Sequence, residues 1–226
     1  MERKINKFLL KWKTDLIRKP LLIIGTRQVG KTYTALDFGK HNYKYTAYFN
    51  TDHNNILKDL FKKERSITKL AEALSIIAEV PIIKDDTLII FDNILDEDII
   101  KGIKLFGYDK NDYHVIAITS SRESLLKFRG EEFQYKIMNE MDYEEFLWAL
   151  NEQEISDKIK YAYDNHKSCS VHAKALDLFY DYLITGGLPE VVEAFATGKS
   201  VGYQDSIKER VFDINRSELL NNKNLI

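Results

Sequence analysis

The run Leu21-Leu22-Ile23-Ile24-Gly25-Thr26-Arg27-Gln28-Val29-Gly30-Lys31-Thr32 holds two signals back to back. Its first four residues are wholly apolar and follow Pro20, as expected of a short strand buried on both faces. The next eight match G-x-x-x-x-G-K-S/T in full, the pattern of a phosphate-binding loop between a strand and a helix. Each part of that pattern has a physical task. Gly25 and Gly30 allow backbone conformations that turn several N–H groups inward. A helix opening at Lys31 adds partial positive charge at its N-terminus. Lys31 sets a point charge against the β and γ phosphates of a nucleotide, and Thr32 offers a hydroxyl oxygen to Mg²⁺. Thr26, Arg27, Gln28 and Val29 complete the expected nucleotide-binding loop. The plainer reading, a Gly-rich turn, is disfavoured by the full match in a strand-then-helix setting.

Outward from this loop, strand and helix patterns alternate. Further strands are expected at Tyr45–Asn50, Thr87–Phe91 and Tyr113–Thr119, with a weaker one at Phe133–Met138. Helices are expected at 31–40, 55–63, 67–77, 97–106 and 121–128. Such alternation implies a parallel sheet covered by helices on both faces. After Met141 only helical patterns remain. Asp142 and Glu145 fit a capping box, and Tyr143, Phe146, Leu147 and Leu150 form one apolar stripe. A later helix bearing Leu176, Phe179, Tyr180 and Leu183 stops at Gly186-Gly187, and Pro189 suits the first position of the next. The expected fold class is α/β, a P-loop NTPase three-layer sandwich with a parallel five-stranded sheet. Its expected core is residues 1–141, followed by an all-helical lid over 142–226.

A second constellation is Leu88-Ile89-Ile90-Phe91-Asp92, four apolar residues and then an acid. Given the loop, Asp92 at the strand's C-terminal edge is expected to hold Mg²⁺ together with Thr32. Many P-loop ATPases carry Glu directly after this Asp, where it orients and deprotonates the attacking water. Here the residue is Asn93, whose amide positions water but takes no proton. Either hydrolysis is weak, or an acid among Asp96, Glu97 and Asp98 substitutes. The first is the expectation. Ser120 or Thr119, at the end of the fourth strand, is placed to meet the γ-phosphate or the water; the alternative is a helix cap. The catalytic set is therefore Lys31, Asp92, Asn93 and Ser120. Asn50, at the end of the second strand, is a lesser candidate. If ATP is hydrolysed, a cation near the γ-phosphate is expected, with Arg27, Arg122 and Arg129 as candidates.

These residues resemble the AAA-like ATPases of bacteria and archaea that usually carry a C-terminal domain of unknown function. The matching stretches are Lys19 to Thr32, Leu88 to Asn93, Tyr113 to Ala117, Tyr143 to Leu147, and Thr185-Gly186-Gly187-Leu188-Pro189-Glu190-Val191-Val192. The resemblance implies an ATP- and Mg²⁺-binding core with a helical lid, and Pro189 packed against the adenine. Relatives run on past the lid into the further domain, so residues 142–226 are read as the lid or, alternatively, as the truncated start of that domain. The resemblance departs at Asn93, where relatives usually have Glu.

Composition narrows the remaining choices. The 226 residues carry a net charge of −2, with 44% hydrophobic and 30% charged residues, the usage of an ordinary globular protein. That charge does not support a generic nucleic-acid binder. Residues 1–44 nevertheless hold eleven Lys/Arg against three Asp/Glu, which suits polyphosphate attraction, while 140–164 hold eight acids against two bases. Cys169 is the single cysteine, so no intramolecular disulfide is available. His41, His53, His114, His166 and His172 show no metal-ligand spacing. The apolar runs are too short for a membrane span, and a cytoplasmic location is expected. A protein partner or a second copy of the chain is the expected macromolecular contact. Tyr45, Tyr113 and Tyr180 are read as core positions, and Trp12 as packing its helix on the core near the nucleotide.

Overall fold

The computed structural model describes residues 1–52, 54–107, 113–120 and 132–223. The elements are α1 (Ile5–Lys13), β1 (Leu21–Ile24), α2 (Lys31–Asn42), β2 (Tyr45–Asn50), α3 (Asn55–Lys63), α4 (Ile67–Ala78), β3 (Thr87–Asp92), α5 (Glu97–Leu105), β4 (His114–Thr119) and β5 (Gln134–Ile137). They are followed by α6 (Tyr143–Ala149), α7 (Gln153–Asp164), α8 (His172–Thr185), α9 (Pro189–Ala196) and α10 (Val201–Lys223). The helix expected at 121–128 lies outside the described residues.

The five strands form one sheet in the order β2-β3-β4-β1-β5, every pair parallel. This is the α/β P-loop NTPase architecture. Parallel central strands are covered on both faces, and β1, β3 and β4 are buried along their whole length. On one face Leu22, Ile24, Ala47, Phe49, Ile89 and Phe91 pack with residues of α3, α4 and α5. Phe91 anchors that side, stacked on Phe49 at 5.2 Å and met edge-on by Phe61 at 5.6 Å. Each such large side chain contributes about 1.5–3 kcal/mol by leaving water. Helix α2 lies against β2, β3 and β4. It runs to Asn42, two residues past the expected end.

Trp12 packs elsewhere than expected. Its ring meets His114 edge-on at 6.0 Å, and its indole N–H donates to the Lys19 carbonyl at 2.9 Å. His114 opens β4, the central strand, so this contact sits at the N-terminal ends of the strands, opposite the ends that carry the loop. There His114 is almost fully buried, bonded to the Tyr43 hydroxyl through Nδ1 and to Asp85 through Nε2. Burial, reinforced by the charge of Arg18 and opposed by Asp85, pushes the imidazole down to about 4.

By chain contacts the molecule forms two compact units. One is Ile5–Thr26 with Gly30–Met138, which holds the sheet. The other joins Met1–Lys4, Arg27–Val29 and Asn139–Ile226. In the latter, α6 opens with a complete capping box between Asp142 and Glu145. Phe146 and Val192 pack with Met141, and Leu147 packs with Ile155 and Ala175. Helix α8 is capped by Gly186, and Pro189 takes the first turn of α9. Gly187 is required by close approach: a Cβ there would lie 2.2 Å from the Met141 carbonyl. The Met141 amide donates to the Gly187 carbonyl at 2.7 Å. Tyr180, read as core, is instead more than half exposed, because α8 buries little beyond Ala175 and Thr185.

Candidate functional site

The site begins where β1 ends. The chain leaves β1 toward β2 at one edge of the sheet, while the chain after β4 crosses to β5 beyond β1. Open α/β sheets bind ligands at such a reversal, beyond the carboxyl ends of the strands. Gly30 adopts φ 90°, a left-handed conformation that glycine takes without a Cβ clash. It also supplies no side-chain acceptor to the first turn of α2, which therefore presents backbone N–H groups suited to an anion. Gln28 shares the left-handed region at φ 64°.

Lys31 is 6% exposed. Its ammonium donates to the Gly25 carbonyl at 2.9 Å, to the Thr26 carbonyl at 2.7 Å and to Ser120 Oγ at 3.2 Å. Strand β4 thus delivers Ser120 to the loop lysine, whereas Thr119 turns its hydroxyl to the Ile94 carbonyl at 3.2 Å. On the other side of the same helix start, Thr32 Oγ1 donates to Asp92 Oδ2 at 2.6 Å. Asp92 is buried, and its Oδ1 accepts the Asn93 amide at 2.8 Å. Two hard oxygen donors this close fit a magnesium ion, which favours carboxylate and hydroxyl oxygens.

One neighbour escaped the sequence reading. Tyr48 of β2 donates its hydroxyl to Asp92 Oδ2 at 3.1 Å. Burial, then the Asp92 charge, pushes this phenol up to about 12, so it stays a donor at all ordinary pH values. The two-residue periodicity of β2 puts Tyr48 and Asn50 on one face, but only the register Asn50↔Asp92 makes them neighbours of the acid.

Asn93 sits at φ 59°. Asn is among the few non-glycine residues that tolerate this region, so backbone geometry alone gives position 93 a reason to be Asn. Its amide Nδ2 donates to Asn50 Oδ1 at 3.3 Å. Thr51 donates to the carbonyls of Asp92 and Asn93 at 2.9 and 3.0 Å, holding the end of β3. A cleft of about 330 Å³ opens beside Asn93, lined by polar residues such as Thr51, Asp52, Asn54 and Lys58 and by apolar Leu95 and Ile99.

Asp96 is committed elsewhere. It caps α5 through the amides of Asp98 and Ile99, and pairs with Lys58 at 2.7 Å. Burial raises its carboxyl, but the bonds from Lys58 and those amides outweigh it and hold the group below the usual carboxylate range. An acid so held is a poor proton acceptor. Arg27 and Pro189 belong to the unit with the C-terminal helices. Arg122 and Arg129 lie outside the described residues.

Comparison with known proteins gives the fold and the family. The chain is similar in fold to a signal transduction ATPase with numerous domains that carries a tetratricopeptide repeat sensor, from Pyrococcus horikoshii. Identity is 16% and the TM-score 0.53, over 95% of this chain and 32% of that one. The chain therefore spans about a third of that protein's length. A Drosophila origin recognition complex structure bound to DNA aligns at 15% identity and TM-score 0.48, over 93% of this chain and 62% of that one. No curated protein matches. A family model described as "AAA domain" matches residues 17–147. That span is more than half of the chain and takes in the loop, Asp92 and all five strands, so the chain belongs to the AAA domain family of P-loop ATPases.

Proposed function

We propose that the chain is an ATP-binding module whose hydrolysis is weak, because Asn93 stands where a general base is needed. The observation that carries this reading is the joint placement of Lys31 and the Thr32–Asp92 pair at the start of α2. Lys31 and the first-turn amides of α2 receive the β and γ phosphates, and Ser120 orients the terminal phosphate beside the lysine. Thr32 and Asp92 hold Mg²⁺, with Tyr48 fixing the carboxylate. When bound, the ion neutralises charge on the phosphate oxygens.

Asn93 and Asn50 then position a water without accepting its proton. A long-lived ATP state follows, as in a nucleotide-dependent interaction module that acts on a protein partner or a second copy of itself. Residues 1–141 serve as the ATPase core and 142–226 as the lid. Nucleic acid is the less favoured partner, given the net charge of −2.

Titration of the protein with ATP, with and without Mg²⁺, and a phosphate-release assay test this reading together. Expected are Mg²⁺-dependent binding and turnover well below about 1 s⁻¹, the low end of ordinary enzymes. Absence of ATP binding overturns the assignment. Fast turnover overturns the role given to Asn93.

A further inference from the structure

Arg3 is 7% exposed, although it lies three residues from the start of the chain. Its Nη1 donates to the carbonyl of Val29 at 2.8 Å, and its Nη2 to the carbonyl of Asn139 at 2.8 Å. Its Nε lies 3.1 Å from Glu145 Oε1, and the Glu145 side chain is 6% exposed. Glu145 also accepts the Lys4 amide at 2.6 Å and closes the capping box of α6. Outside this pair, Lys4 bridges Asp142 and Glu144, each at 2.6 Å.

One guanidinium thus holds three pieces of chain. Val29 is in the phosphate loop, Asn139 follows β5, and Glu145 lies in the first turn of α6. A planar guanidinium bonds two carbonyls in different directions while it faces a carboxylate as its counter-charge; a lysine ammonium at the same place is a single point charge on a flexible stem. A plain N-terminal staple needs none of this convergence on the loop. The contact pattern agrees, since Arg27–Val29 groups with Met1–Lys4 and Asn139–Ile226 and not with the sheet.

We propose that Arg3 is a positioning residue that makes the tip of the phosphate loop and the first turn of α6 respond as one piece, so that filling the loop stiffens the helical unit. This rests on the ATP-binding reading above. Binding that orders the tip then orders residues 139–150, and the coupling is reciprocal.

The test is amide hydrogen exchange over residues 139–150, with and without saturating ATP and Mg²⁺. It compares the natural protein, Arg3→Lys, and the double change Arg3→Met with Glu145→Gln. The double change leaves no unpaired buried charge, and so keeps the experiment open if the single variant does not fold. In the natural protein ATP is expected to slow exchange there by at least about fivefold, the low end of ordinary coupling between sites. In either variant ATP still binds, measured by titration, but the slowing is lost. Full protection in an ATP-loaded variant overturns the inference, because a mere staple has no influence on it. ATP binding to the natural protein without any slowing also overturns it, and leaves the ATP-binding reading intact. Failure of the natural protein to bind ATP overturns both.

Discussion

The hydroxyl of Thr32 donates to Asp92 Oδ2 at 2.6 Å, joining residues 60 positions apart. The contact exists because α2 starts at the end of β1, while β3 ends at the same side of a fully parallel sheet. Tyr48 adds a second donor to the same oxygen from the neighbouring strand. Asp92 Oδ2 is thus oriented by donors that the strand topology brings to it, while Oδ1 is held locally by the Asn93 amide.

Lys31 supplies the buried cation of the loop. Lys31→Ala should weaken ATP binding by about 2–4 kcal/mol, in the range found when one partner of a desolvated charge pair is removed. Calorimetric titration reads this directly. Unchanged affinity would remove the loop from the binding site.

Tyr48→Phe keeps the ring and deletes only the hydroxyl. A hydrogen bond to a charged carboxylate is worth about 1.5–3 kcal/mol, and the partial exposure of Tyr48 puts this one at the low end. The Mg²⁺ concentration that half-saturates the ATP complex should therefore rise about tenfold or more, while ATP affinity without Mg²⁺ stays the same. A loss of equal size in both measurements would mean that Tyr48 serves packing and not the acid.

His114 gives the fold a pH dependence. Its folded value is pushed down to about 4 by burial and by Arg18, below the 6.5 of an exposed imidazole. Between these values the unfolded chain binds more protons than the folded one, so stability falls as pH drops from 6.5 toward 4. The contribution lost is about 1–3 kcal/mol. Chemical unfolding at pH 7.5 and pH 4.5 should show that decline. His114→Gln, which stays neutral, should remove this part of it; an equal decline in both proteins would place the proton uptake elsewhere.

Much of the architecture could be read directly because its signals are local. Apolar runs mark β1, β3 and β4, the full loop motif marks the turn into α2, and Asp142 with Glu145 marks the start of α6. What stayed hidden depends on register and on contacts distant in sequence. Nothing around Tyr48 signals that its hydroxyl reaches Asp92. Arg3 reads as one more base in a basic N-terminus until folding brings Glu145 and two carbonyls to it. Trp12 was legible as buried but not at which end of the strands, because a helix stripe carries no information about the end of the strand it meets. Asn93 was legible as chemistry and not as geometry, since a backbone in the left-handed region leaves no mark in a single sequence.

That geometry decides how Asn93 is best tested. The direct replacement, Asn93→Glu, would place a residue without Asn's tolerance at φ 59°, at a cost of about 1–2 kcal/mol. A failure of that variant would confuse strain with chemistry. Asn93→Asp avoids most of this, because Asp tolerates the left-handed region and supplies a carboxylate. Asn50 Oδ1 stays bound to the Asp52 amide at 3.0 Å, so the long 3.3 Å contact to position 93 is lost and the new acid faces the cleft. Lys31, Thr32 and Asp92 are untouched, so ATP affinity should stay within about threefold, less than the value of one ordinary hydrogen bond. General-base catalysis is typically worth about 10²–10⁴ in rate, and a shorter acid recovers only part of it. Phosphate release should rise at least about tenfold, with a pH profile that falls on protonation of the new carboxylate. If Asn93→Asp folds, binds ATP and stays as slow as the natural protein, the missing base is not what limits turnover. A cation absent from the isolated chain then becomes the limiting part.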